Sequence, residues 1–366
     1  MRLLGAIAKT GCRKDGSTDR KTIAVGGATG QKSVLIIGGG FAGLTAAQTL
    51  LNSGEHTVTL VDRKEYFEVT PAQIHLLVAP ESLGDRPRFR YREVLGENFV
   101  LGEVVRLEDN VAVLAHGQKL EFDTLILSPG TRYRRLPLAK PTDNVTLEER
   151  RDIVKAENQK FQAASSYLIV GGGLVGVELA GEIAASAPGK SVRLAHRGPR
   201  LVENLSPKAS NEALTQLQAL GVKVLLNTAD AKPSKDELLY EATTPEPATG
   251  FLASVQPGIL DSRGQIVVNE RFQVKGHANW YAAGDATAAP YSKQAVVAAT
   301  QGEYVAKSLL GSAKPFRHRP LVAFVPLGSK LGFTQMPFGV VKWKFMVNMK
   351  RKNYLVELIR KQIGAP

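Results

Sequence analysis

The sequence predicts an α/β protein: two units in which a parallel sheet is wrapped by helices, then a small C-terminal α+β domain. Three observations predict this. Gly38-x-Gly40-x-x-Gly43 follows a short apolar run and opens an apolar-periodic segment. Gly171-x-Gly173-x-x-Gly176 repeats that order about 130 residues later, as an internal duplication would. After residue 314 the glycine-rich pattern gives way to prolines, aromatics and lysines.

The elements follow in order. Residues 1–32 read as a basic, flexible leader. Residues 34–37 (Val-Leu-Ile-Ile) are a strand running into glycines, and 41–52 a helix with Leu44, Ala47 and Leu51 on one face. Residues 56–62 are the next strand, 111–114 and 119–122 a hairpin around His116-Gly117, and 123–128 a buried strand. The second unit repeats strand 167–170, helix 177–187 and strand 191–196. Strand, glycine turn, helix, strand is the Rossmann-like order, so each unit is expected to hold one nucleotide. Residues 225–259 should then supply a hairpin and a further strand, but they show little strand pattern, and the second unit is expected to be shortened. Residues 277–286 form a short strand ending in Gly284-Asp285, with a helix from about Gln294. The expected boundaries are 33–147 with 271–313 for the first unit, 148–270 for the second, and 314–366 for the C-terminal domain.

Composition narrows the chemistry. Of the net charge of +13, residues 1–32 carry +5 and 314–366 carry +10, leaving 33–313 at −2. Basic ends on a near-neutral body suit an anionic surface: a membrane first, nucleic acid second. Solvated tails are the alternative. Cys12 is the only cysteine, which excludes an intrachain disulfide, a CxxC redox pair and a cysteine-held iron–sulfur centre. No stretch approaches the ~18 uninterrupted apolar residues of a spanning helix. The first fourteen residues hold four basic groups and no acid, which loosely fits an organellar transit segment. A cytoplasmic membrane-associated location and a mitochondrial or other organellar one both stay open.

In the first turn, Gly38 allows the tight bend, Gly40 lets backbone approach a pyrophosphate, and Gly43 lets the helix pack on the strand. Gly39, Phe41 and Ala42 complete the loop, whose N–H groups open toward an anion. Asp62 ends the following strand, where a carboxylate accepts ribose hydroxyls and excludes a 2′-phosphate. These residues specify a dinucleotide. In the second turn Gly171, Gly173 and Gly176 take the same roles. The strand after it ends at His196-Arg197, with Arg200 close by and no acid, so NADPH is expected to be accepted, with NADH not excluded.

Asn279-Trp280-Tyr281-Ala282-Ala283-Gly284-Asp285-Ala286-Thr287 resembles the second FAD fingerprint of pyridine-nucleotide–disulfide-reductase-like flavoproteins. The resemblance implies that Asp285 holds the FAD ribityl chain and that Gly284 lets it come close. Residues 121–131 resemble the family's "YDxLxxATG" strand, with Ser128-Pro129 in place of Ala-Thr. Residues 100–104 resemble the segment in which Val104 would meet the adenine, and His75 falls where an arginine would lie near the flavin. Motif order from residue 33 onward looks most like the apoptosis-inducing-factor-like, ferroptosis-suppressor family of FAD-dependent NAD(P)H:quinone oxidoreductases. Gln301-Gly302-Glu303-Tyr304 is similar to a "QQGxY" motif of type II NADH dehydrogenases that borders their quinone site.

That resemblance assigns FAD to the first turn and NAD(P)H to the second. It places Glu178 near the flavin–nicotinamide stack, against helix N-terminal charge pairing as the alternative. It gives Lys293 a place from which to protonate a reduced quinone, against an ordinary surface lysine. A flavin accepts hydride from NAD(P)H and must pass electrons on. With Cys12 alone, the acceptor has to be a separate molecule: a quinone, another electron carrier or oxygen. The apolar run 321–325, with Val340, Val341, Trp343, Phe345, Met346 and Val347 among Lys342, Lys344 and Lys350-Arg351-Lys352, fits a membrane interface. Packing on the protein's own core is the alternative. Three functions are therefore carried: a membrane-surface quinone reductase, the same fold serving a soluble acceptor, and a redox-sensing flavoprotein whose basic ends bind partners.

Overall fold

The computed structural model describes residues 22–23, 30–141, 145–253, 255, 258–317, 321–342 and 355–365. Most of the leader, Cys12 included, and the lysine–aromatic run 343–354 lie outside the described residues.

The first unit is built on a five-stranded parallel sheet. Its order is Trp280–Ala282, Thr124–Leu127, Lys32–Ile37, His56–Asp62, Phe99–Leu101. The central strands are buried on both faces, which is why they read as unbroken apolar runs. The Phe41–Ser53 helix packs on the sheet through Leu44, Ala47 and Leu50, all fully buried. It also lies against the Ala295–Leu309 helix at a glycine. A Cβ on Gly302 would come within 2.0 Å of the Ala42 carbonyl oxygen. Strands Val104–Glu108, Val111–Leu114 and Lys119–Glu121 add an antiparallel layer that includes the expected hairpin.

The second unit is a four-stranded parallel sheet in the order Lys223–Leu225, Ser191–Ala195, Ser166–Val170, Glu237–Glu241. The further strand expected within 225–259 is thus present despite the little strand pattern there. The strand that follows the loop at 226–236 is present, and it completes the sheet. What is missing, among the described residues, is the antiparallel layer that the first unit inserts at the matching point. Glu237 and Glu241 hid the strand pattern because each is a charge with a distant partner. Glu237 accepts from Arg193 Nε at 2.8 Å and Glu241 from Arg135 Nη1 at 2.8 Å.

The C-terminal strands Ala323–Leu327, Leu331–Met336 and Gly339–Val341 form an antiparallel sheet. It packs on the Leu174–Ser186 and Pro207–Ala219 helices of the second unit. Ser206 Oγ donates to Gln335 Oε1 (2.5 Å), Gly332 N to Gln216 Oε1 (2.6 Å), and Lys342 pairs with Glu212 (2.8 Å). The apolar run 321–325 is therefore corrected in part: Ala323 and Val325 are buried in the protein's own core rather than offered to a membrane. The Val356–Gln362 helix instead touches the first unit, where Arg360 Nη1 donates to the Arg86 carbonyl (2.9 Å) and the Gln48 amide donates to Ile363. Two glycines permit the sheet-on-helix contact. A Cβ on Gly328, whose φ is +65°, would fall 2.0 Å from Ala185 Cβ, and one on Gly181 would fall 2.8 Å from Leu327 Cα. Gly328→Ala is expected to cost about 2–3 kcal/mol, from strain and overpacking together, read as a lowered thermal midpoint. An unchanged midpoint would show that this contact is not as tight as described.

One buried charge cluster joins the helix Leu147–Ala163 to the first unit. That helix begins with a capping box, in which Thr146 Oγ1 accepts from Glu149 N while the Glu149 carboxylate accepts from Thr146 N. One turn in, Arg150 is fully buried and donates to both oxygens of Glu68 (2.8 and 2.9 Å) and to the carbonyls of Pro137 (2.7 Å) and Leu138 (2.6 Å). Arg88 Nε donates to the same Glu68 at 2.8 Å. The two guanidinium groups hold the Glu68 carboxyl below its ordinary value against the opposing effect of burial, which is the largest single influence on it.

Candidate functional site

A cleft of about 1810 Å³ runs between the two glycine turns. The two turns are built alike. Gly38 and Gly171 have φ of +98° and +117°, and a Cβ on either would lie 2.3 Å from a carbonyl oxygen, that of Ser128 or Ala242. A Cβ on Gly43 would meet the Gly38 oxygen at 1.9 Å, and one on Gly176 the Gly171 oxygen at 1.8 Å. Gly40 and Gly173 differ from these: a Cβ there would meet nothing within 4 Å among the described residues, and both glycines line the cleft. That is the space a pyrophosphate needs.

The helix ends agree. Two other long helices are capped by side chains, Thr146 before one and Ser206 before the other. The helices opening at Phe41 and Leu174 have, among the described residues, no side-chain cap and no acid in the first turn. Their first N–H groups and positive dipole ends are left for an anion. The residues present thus fit two dinucleotides.

Asp62 and His196 occupy matching positions. Asp62 Oδ2 accepts from Gly39 N (2.7 Å), and Oδ1 from Lys64 N (2.8 Å) and Lys64 Nζ (3.3 Å), which leaves Oδ2 a lone pair for a hydroxyl donor. In the second unit His196 Nδ1 accepts from Gly172 N (3.1 Å). Arg197 is exposed and lines the cleft. Arg200 does not line it. Its guanidinium is spent on the Leu205 and Glu203 carbonyls and on Ser210 Oγ. This removes one of the two arginines on which the NADPH expectation rested.

Val104, Asp285, Glu178 and Lys293 all line the cleft. Asp285 accepts from Lys140 Nζ at 2.7 Å, and Lys140 also donates to Thr131 Oγ1 at 2.6 Å. Burial, helped by the negative Asp285, pushes the nearby Tyr133 phenol up to about 12. Lys140 and Tyr133 sit in an irregular loop, and no sequence pattern marks either one. Gln301 is buried and its Oε1 accepts from Gly284 N (2.7 Å), while Gly302 packs on Ala42. Gln301 therefore holds the Gly284-Asp285 turn and Gly302 seats the helix on Ala42; neither borders the cleft, which Thr300, standing where the motif has its first glutamine, does line. Lys293 donates to the Thr287 carbonyl at 2.6 Å, and desolvation lowers its pKa against the pull of Asp285 and Asp261.

His75 is not among the residues that line the cleft. It lies on the short Gln73–Val78 helix with Nδ1 3.3 Å from Glu182 Oε2, on the helix of the second turn. Its neighbour Ile74 lines the cleft instead, because one residue along a helix turns the side chain by about 100°.

The model of the pyridine nucleotide-disulphide oxidoreductase family matches residues 32–302. The chain belongs to that family. Among the relatives of this pyridine nucleotide-disulphide oxidoreductase is ferroptosis suppressor protein 1 of Xenopus tropicalis, 29% identical over 90% of this chain and 96% of that one. Apoptosis-inducing factor homolog A of Dictyostelium discoideum is 28% identical over 89% and 90%. Among solved structures, the sulfide:quinone oxidoreductase of Aquifex aeolicus superposes with a TM-score of 0.71 at 17% identity, over 90% and 92% of the two chains. The fold is accordingly the α/β, parallel-sheet fold of pyridine nucleotide-disulphide oxidoreductases. The protein is an NAD(P)H oxidoreductase whose cofactors are FAD and NAD(P)H.

Proposed function

We propose that this oxidoreductase passes electrons from NAD(P)H through FAD to a quinone at a membrane surface. The observation that carries this is the lining of the cleft. Phe316, Leu321, Val322, Phe324, Pro337 and Leu355 give an apolar lining to the same cavity that both turns, Glu178 and Lys293 border. An apolar lining suits a ring that must leave lipid to react. Phe338, 76% exposed beside Pro337, and the net +10 of residues 314–366 extend that reading toward an anionic membrane. A solved neighbour of this fold is named a sulfide:quinone oxidoreductase, which supports the choice of acceptor.

The residues divide as follows. Residues 33–147 and 271–313 form the FAD unit, 148–270 the coenzyme unit, and 314–366 the acceptor-proximal part. Gly38, Gly39, Gly40, Phe41, Ala42 and Gly43 cradle the FAD pyrophosphate. Asp62 and Asp285 accept its hydroxyl groups, and Val104 borders its adenine. When bound, FAD supplies the two-electron chemistry between coenzyme and acceptor. Gly171, Gly173, Gly176 and His196 hold the coenzyme's phosphates and adenosine end, and Glu178 borders its nicotinamide. Lys293, made more acidic by its desolvation, holds a transferable proton at Nζ on the cleft wall.

Anaerobic mixing of the FAD-loaded protein with NADH or NADPH should bleach the flavin absorbance. Quinones dispersed in anionic liposomes should then restore it faster than the same quinones in neutral ones. Reoxidation by oxygen alone, with no response to any quinone, would remove the acceptor assignment.

A further inference from the structure

Asp62 does two things at once in the first unit: it holds the glycine turn and faces the cleft. In the second unit those tasks are divided. His196 holds the turn by accepting the Gly172 N–H on Nδ1, so the neutral ring carries its proton on Nε2. Nε2 is buried with no hydrogen-bond partner among the described residues, and Glu203 Oε1 stands 3.8 Å from it.

Glu203 is held in that place by its surroundings. Val202 N donates to the Gly172 carbonyl at 2.7 Å, which ties the loop to the glycine turn. Val202 is fully buried with φ +42°, a left-handed conformation that a β-branched residue adopts only under constraint. Arg200 fixes the loop from the other side by donating to the Glu203 carbonyl at 2.6 Å. Gly198 leaves the room, since a Cβ at that position would meet Glu203 Oε1 at 2.0 Å. Glu203, His196 and Arg197 line the cleft together.

We propose that Glu203 selects the coenzyme: its carboxylate accepts the adenosine ribose hydroxyls and repels a 2′-phosphate, so the site favours NADH over NADPH. This rests on the second turn being the NAD(P)H site. It places the missing acid one side chain outward from the strand end, in a loop that the strand pattern does not mark.

Titration of the FAD-loaded protein with ADP-ribose and with 2′-phospho-ADP-ribose tests it without turnover. Wild type should bind ADP-ribose at least about tenfold more tightly, the discrimination that one carboxylate exerts on a nearby phosphate dianion. Glu203→Gln should remove most of that ratio, and raising the salt should shrink it in wild type. Gly198→Ala, which displaces the carboxylate without changing charge, should lower the ratio as well. Equal ratios in wild type and both variants would overturn the proposal, as would a wild-type preference for the 2′-phosphate that Arg197→Ala abolishes. Failure of wild type to bind either compound would overturn the second turn's assignment, and the selection with it.

Discussion

Gly43→Val is expected to yield protein without flavin, whereas Gly40→Ala should yield folded protein that binds FAD weakly. The difference lies in where each Cβ would go. At residue 43 it would enter the 1.9 Å gap to the Gly38 carbonyl, with Ser128 Oγ at 2.5 Å. The helix would have to lift off the strand, and with it the N–H groups that face the cleft. Overpacking of this kind costs about 1–3 kcal/mol where side chains can yield, and here the nearest obstacle is backbone. At residue 40 the Cβ would enter open cleft, where it competes only with the pyrophosphate. The second turn supplies the control. Gly176→Val faces a 1.8 Å contact with Gly171 and should keep flavin while losing anaerobic reduction by NAD(P)H. Flavin content per chain and the reduction trace separate these outcomes. Full flavin content in Gly43→Val, or its loss in Gly176→Val alone, would reverse the assignment of the two turns.

Arg150→Met is expected to destabilise the protein by about 3 kcal/mol, the lower part of the range for removing one partner of a buried ion pair. Arg88 still pairs with Glu68, which keeps the cost from being larger. The Pro137 and Leu138 carbonyls lose their donor at the same time. Glu68→Gln in the Arg150→Met background should recover part of the loss, because it removes the under-compensated charge. The pH dependence has a definite sign. The folded-state pKa of Glu68 is depressed, so its contribution is present above the ordinary carboxyl value of 4.5 and is lost as pH falls through the lower folded value. In Arg150→Met that acid-side loss should begin at higher pH. Thermal midpoints taken across an acidic pH series measure both effects, and a variant that tracks wild type throughout would show that the cluster is not a stabilising one.

The amino-acid sequence makes legible those parts of the molecule that backbone geometry and local periodicity fix. A strand buried on both faces must be apolar along its length, as Val34, Leu35, Ile36 and Ile37 are. A tight turn over a phosphate requires glycines at set intervals, and both turns fall where the intervals place them. Side-chain destinations are not legible in this way, because they depend on chain segments far apart. Lys140 reaches Asp285 across 145 positions, and Gln335 reaches Ser206 across 129. The Glu237–Glu241 strand is hidden by charges whose partners, Arg193 and Arg135, come from other segments. His75 turns to Glu182 because the short helix carrying it packs on the helix of the second turn. Glycine spacing is a property of the chain itself, and it determines that two nucleotides bind. Which carboxylate meets the second one is a property of packing, decided by the loop that Val202 ties to Gly172 and by the space above Gly198.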